Sequence, residues 1–209
     1  LIERFVADAK KLRDKKVLIL DIRSHQGGNE YYALKWCRNL TDKKIKQNAV
    51  YIFTLLMTPT ARKLYKNNIE AYFAEKEAKR LMFSHKLMEI ISVRGWTPTI
   101  YRKGKRIHNN PFIIVLIDRH VTSAAEGLVG YLRRMDNVIF IGSNTSGSFL
   151  TGDVGVCQLP YSNLTVRIPR SLRFEPDLVN RDGIGYLPDL WVESEHALKY
   201  ATEFARKNL

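Results

Sequence analysis

Six apolar residues in succession, Phe112 to Ile117, closed by Asp118, constrain the fold more than any other stretch. A strand without polar alternation is covered on both faces, as strands of parallel sheets are when helices lie on both sides. Lys16–Arg23 (KVLILDIR) has the same character, and Val138–Gly142 is a shorter case. Helical patterns lie between these runs. Residues 1–15 place Ile2, Phe5, Val6 and Leu12 among charges, and Glu30–Leu40 places Tyr31, Leu34 and Cys37 at helical spacing. Ser123–Met135 and Ser194–Lys207 complete the set, the last with Ser194 as its cap. Alternating strands and helices predict an α/β fold. Val50–Met57 reads as a second strand, and Val154–Leu159 with Leu164–Pro169 as a hairpin. Arg173–Leu187 reads as loop and Asp189–Val192 as a short last strand. Arg62–Val93 reads as one or two helices, and Thr97–Asn110 as a basic hairpin or loop.

Charge is unevenly placed. Of a net +13, ten charges fall between Thr41 and Asn110, where 15 Lys and Arg face five Asp and Glu. The expected organisation is one domain over 1–209 with a basic, mainly helical insertion at about 41–110. Such a segment could contact an anionic surface. No nucleic-acid motif accompanies it, so no nucleic acid is expected as a partner. No stretch reaches the roughly 20 apolar residues of a membrane span. The chain begins at Leu1 with no signal peptide, which is expected of a piece whose upstream domains are missing. Cys37 and Cys157 fit no metal spacing, and no phosphate-binding glycine loop is evident, so no cofactor is expected.

Chemistry concentrates where the Phe112–Asp118 run ends. Thr122-Ser123-Ala124-Ala125-Glu126 puts a serine between a buried strand and a helix. Most serines there only cap the helix. Ser123 can also stand as a nucleophile, with the Ala124 N–H beside it at a helix start that favours developing negative charge. Gly27-Gly28 ends another strand, and glycine lets a backbone N–H approach closely. These features define a candidate set: Ser123 as nucleophile, and Gly27, Gly28 and Ala124 as oxyanion donors. Glu126, Asp21 and Arg23 are supporting residues, the last two as a salt bridge at the strand end.

Four segments in order carry a resemblance. They are Asp21-Ile22-Arg23-Ser24-His25-Gln26-Gly27-Gly28, then Ser123-Ala124-Ala125-Glu126, then Gly142-Ser143-Asn144-Thr145-Ser146-Gly147, and last Gly185-Tyr186-Leu187-Pro188-Asp189. Over residues 16–40 and 111–193 the chain resembles the tail-specific protease (C-terminal processing peptidase) family of serine peptidases. The resemblance implies a crotonase-like spiral fold with a curved sheet flanked by helices. It implies a serine endopeptidase acting on polypeptide, with the site residues above, and an exported, periplasmic or cell-envelope setting. Family members with a serine–lysine dyad carry the lysine directly after the threonine-x-glycine loop, where this chain has Ser148. The departure points to the lysine-lacking branch, similar to tricorn-type and retinoid-binding-protein-like relatives, whose proteolytic members use histidine. His25 is the first candidate base and His120 the second. A lysine from 41–110 is a third source, and an inactive peptide- or ligand-binding module is the alternative. Oligomeric state is not legible.

Overall fold

The computed structural model describes residues 2–47, 50–64, 95–97 and 104–209. The chain forms two compact units. One comprises Leu1–Val50, Arg102–Leu150 and Val179–Leu209, the other Tyr51–Tyr101 and Thr151–Leu178.

The first unit is built on a four-stranded parallel sheet in the order β1 (Val17–Asp21), β3 (Phe112–Ile117), β4 (Val138–Gly142), β9 (Leu190–Trp191). Val17 lies opposite Phe112, Ile113 opposite Val138, and Ile141 opposite Leu190. β3 is flanked by strands on both sides, and Ile113 through Ile117 are fully buried. β1 was expected to be equally buried, but Val17–Leu20 are half-buried. It is the end strand of the described sheet, so only one side gains a neighbour.

Side chains alternate between the two faces of a strand. Ile114, Leu116 and Ile141 point to the face covered by α4 (Ala197–Asn208), where they pack with Val192, Ala197 and Ala201. Phe112 stacks on Phe204 there, with ring centroids 6.2 Å apart. α1 (Ile2–Leu12), α2 (Glu30–Thr41) and α3 (Ala124–Leu132) pack in series, α1 on α2 and α2 on α3. Phe5 stacks on the buried Trp36 at 5.4 Å. Tyr131 Oη donates to Glu30 Oε1 at 2.6 Å, tying α3 to the start of α2. Asn29 caps α2, accepting the Tyr31 N–H at 3.0 Å. Ser194 does not cap α4. The residue before that helix is His196, and Ser194 Oγ donates to Asp118 Oδ2 at 3.3 Å.

The second unit contains an antiparallel sheet in the order β2 (Ile52–Leu55), β8 (Ser171–Phe174), β5 (Thr151–Gly152). β2 therefore pairs with β8 and not with the parallel sheet. The last two residues of β8, Arg173 and Phe174, fall in the stretch Arg173–Leu187 read as loop. The hairpin of β6 (Gly155–Gln158) and β7 (Thr165–Ile168) falls where the sequence places it, with Gly155 opposite Ile168. Residues 59–64 are helical. The rest of the helical expectation for Arg62–Val93, and residues 98–103 of the basic hairpin or loop, lie outside the described residues. No described helix is long and apolar enough to cross a membrane.

Candidate active site

Parallel strands end on one edge of their sheet, and that edge gathers the separated motifs. β1 ends at Asp21, β3 at Ile117 and β4 at Gly142, so the turns at 22–29, 118–123 and 143–148 become neighbours. Crevices at this edge are where open α/β sheets bind ligands.

Asp118 joins the first two turns. It is 3 % exposed, and its Oδ1 accepts the N–H groups of Ser24 and His120, each at 3.0 Å. The His25 carbonyl accepts the Thr122 N–H at 3.1 Å. Gly27 then lies directly against the serine. A Cβ on Gly27 would stand 2.8 Å from the Thr122 carbonyl oxygen, 2.9 Å from Ser123 Cβ and 3.1 Å from the Ala124 nitrogen. With φ at +94°, the position also demands a conformation that suits glycine.

Ser123 opens α3 with φ +53° and ψ −121°, a rare backbone state for a residue bearing a side chain. Holding it costs about 1–3 kcal/mol, and such strain persists only where the surroundings enforce it. The enforcement is visible. The Ser123 N–H donates to Glu126 Oε2 and to Ser148 Oγ, each at 3.2 Å. The Ser123 carbonyl accepts the Glu126 N–H at 2.9 Å.

Glu126 is the organiser of the site. It is 1 % exposed, and hydrogen-bond donors surround it. Oε1 accepts from Thr145 Oγ1 at 2.7 Å and from the Gly147 N–H at 2.8 Å. Oε2 accepts the Ser148 N–H at 2.8 Å, and the hydroxyls of Ser148 and Ser146 lie at 3.2 and 3.4 Å. The carboxylate thus clamps the loop after β4 onto the serine turn. A second layer holds that loop from behind. Tyr186 N–H donates to Thr145 Oγ1 at 2.7 Å, and Gly183 N–H to the Gly147 carbonyl at 2.8 Å. Asp189 Oδ2 accepts the Phe140 N–H at 2.8 Å, fixing the late Pro188-Asp189 segment on β4.

At the end of β1, Arg23 forks on Asp21, Nε to Oδ1 at 2.9 Å and Nη2 to Oδ2 at 2.6 Å. These bonds hold the Asp21 carboxyl below its ordinary range and raise the Arg23 guanidinium further. Arg23 Nη1 also reaches the Ser194 carbonyl, linking this turn to the segment before α4.

The two candidate bases are placed differently. His25 Nδ1 accepts the Gly27 N–H at 3.0 Å. His120 is exposed, and its imidazole makes no hydrogen bond to a described residue. Among the described residues, no Lys or His nitrogen hydrogen-bonds Ser123 Oγ. The Gly28 and Ala124 N–H groups also have no described hydrogen-bond partner. Sequence reasoning gave no role to Asp118, Thr145, Ser146 or Tyr186, although the last three lie in the segments that carry the resemblance. An acid at the end of a fully apolar strand was the available signal for Asp118. For the 145–148 loop the signal was the motif itself, but the sequence does not say that its hydroxyls meet Glu126. No group of three or more described His, Cys, Asp or Glu residues is arranged to hold a metal ion.

Comparison with known proteins follows from this geometry. The family model for peptidase family S41 matches residues 2–192. Among solved structures, mature CPAF superimposes with a TM-score of 0.65 at 16% identity, covering 99% of this chain and 45% of that one. A structure from Parabacteroides merdae gives 0.59 at 16% identity, covering 100% and 57%. The photosystem II D1 C-terminal processing protease gives 0.53 at 18% identity, covering 93% and 39%. The chain thus spans between about two fifths and three fifths of these structures' lengths, and at such identities the likeness shows the fold alone. No curated protein matches the sequence significantly.

Proposed function

Because the chain belongs to peptidase family S41, we propose that it is a serine peptidase hydrolysing peptide bonds of polypeptide substrates, with Ser123 Oγ as nucleophile. One observation carries the assignment of the serine: its strained φ of +53° at the head of α3, with Gly27 packed against it. A plain helix cap needs no such strain. In this reading Oγ attacks the scissile carbonyl carbon and loses its proton to a base. The carbonyl oxygen takes up negative charge facing the Ala124 and Gly28 N–H groups. The C–N bond then breaks, the protonated amine leaves, and water hydrolyses the acyl-enzyme.

Ser148 at the dyad lysine's position supports the lysine-lacking branch of the family, and its hydroxyl sits at the Ser123 N–H. We take the parallel sheet and the helix-start site as the core of a crotonase-like spiral of tail-specific type. An exported or cell-envelope setting, and anionic contact through 41–110, belong to the same reading and rest on resemblance and charge. A fluorophosphonate probe and labelled casein test the activity. Covalent capture of Ser123 together with casein cleavage abolished in Ser123→Ala is the expected result. Cleavage that survives Ser123→Ala refutes the nucleophile, and absence of both capture and cleavage favours the inactive binding module.

A further inference from the structure

The imidazole of His25 has a role set by which of its nitrogens is engaged. Nδ1 accepts the Gly27 N–H at 3.0 Å, two residues along the chain. A neutral imidazole that accepts at Nδ1 carries its proton on Nε2. Nε2 is then a donor and cannot take the Ser123 proton. Nδ1 has spent its lone pair on the backbone. The contact closes the same small ring that Asn and Asp make when their side chains bond the N–H two residues on. It sits at a critical place, since the same residue's carbonyl holds the Thr122 N–H at 3.1 Å, next to the serine. His25 therefore does two things: its backbone carbonyl ties the glycine turn to the serine turn, and its ring braces the glycine turn itself. With the Gly27 N–H so committed, the glycine turn has the Gly28 N–H left to offer a substrate.

We infer that His25 is a positioning residue of the oxyanion site, its Nδ1 fixing the Gly27–Gly28 turn beside Ser123, and that it is not the general base. The inference rests on the peptidase reading for its catalytic consequence, but the contact itself is independent of that reading. Residue 25 is exposed on a turn, so its replacement leaves the packed core untouched.

Three variants separate the roles. Asn carries its oxygen where imidazole carries Nδ1, whereas Gln carries its oxygen nearer the place of Nε2. Ala carries neither. The readouts are the rate of fluorophosphonate capture at Ser123 and hydrogen exchange of the Gly27 amide by NMR. Ser123→Ala serves as the control for capture. The expected result is that His25→Asn keeps the capture rate within about threefold of wild type and keeps the Gly27 amide protected. His25→Gln and His25→Ala slow capture on the order of tenfold, the effect of losing about one hydrogen bond, and expose the Gly27 amide. If His25→Asn is as slow as His25→Ala while its Gly27 amide stays protected, the imidazole's own proton chemistry is needed and the inference is overturned. Equal rates in all three variants also overturn it. If wild type and Ser123→Ala label alike, the peptidase reading fails, and Gly27 exchange alone then decides: a fast wild-type amide overturns the contact.

Discussion

Replacing Glu126 by Gln tests whether this buried carboxylate holds the site together through its lone pairs. The substitution preserves shape and turns one acceptor oxygen into an NH2 donor. The amide will turn its NH2 to the side where this costs least. On the Oε2 side it would meet the N–H groups of Ser123 and Ser148. On the Oε1 side it meets Thr145 Oγ1 and the Gly147 N–H. The threonine hydroxyl can rotate and accept, although it already accepts from Tyr186 N–H. The Gly147 N–H cannot, and it is left buried without a partner. That loss is worth about 1–3 kcal/mol. Glu126→Ala removes the acceptor of both Gly147 and Ser148 N–H, while Ser123 N–H keeps Ser148 Oγ; Ser148 is exposed, so its N–H adds only the net worth of one hydrogen bond and the loss rises to about 1.5–4.5 kcal/mol. Urea unfolding at constant m measures both differences. Fluorophosphonate capture at Ser123 should fall in the same order, because the strained serine loses its clamp. A Glu126→Gln protein within about 0.5 kcal/mol of wild type, the usual span of an inert surface change, or a Glu126→Ala protein no weaker than Glu126→Gln, refutes the reasoning.

Other outcomes follow from the same geometry. Gly27→Ala should destabilise and stop capture, since its Cβ meets the Thr122 oxygen at 2.8 Å and Ser123 Cβ at 2.9 Å. Gly28→Ala meets nothing within 4 Å and suffers only the backbone cost of its φ of +133°, about 1–3 kcal/mol; equal losses in capture would show that the close approach of Gly27 is irrelevant. Asp21 should titrate below its ordinary 3.8, because Arg23 bonds its charged form. Its stabilising contribution is then complete above that value and lost as pH falls through the lower folded midpoint. Carboxyl NMR should place the midpoint below 3.8 and see it rise in Arg23→Gln; an unmoved midpoint counts against the ion pair. Cys37 is buried and its thiol is pushed up by that burial, whereas Cys157 is partly exposed. A maleimide should modify Cys157 in the native protein and Cys37 only in urea, as peptide mapping would reveal; early Cys37 labelling contradicts the packing around Trp36.

What the sequence determined by itself was local. An unbroken apolar run such as Phe112–Ile117 has no stable state except burial, so strand and α/β class followed from residue chemistry. The hairpin at 155–168 announced itself through its turn residues, a signal that is equally local. Ser123, Gly27, Gly28, Ala124 and Glu126 were legible as candidates because a serine between strand and helix, or a glycine pair after a strand, is a chain-neighbour pattern. Partner choice was not local. Ile52–Leu55 has the composition of a strand for either sheet, and only the distant Ser171–Phe174, whose last two residues read as loop, assigned it to the antiparallel one. The engagements inside the site were likewise tertiary. Nothing near Glu126 in the chain says that Thr145, Gly147 and Ser148 will surround it, because a parallel sheet brings those turns together across tens of residues. The direction of the His25 ring was decided in the same way. A histidine's chemistry depends on which nitrogen finds a partner, and that partner is fixed by how the folded turn aims the Gly27 N–H.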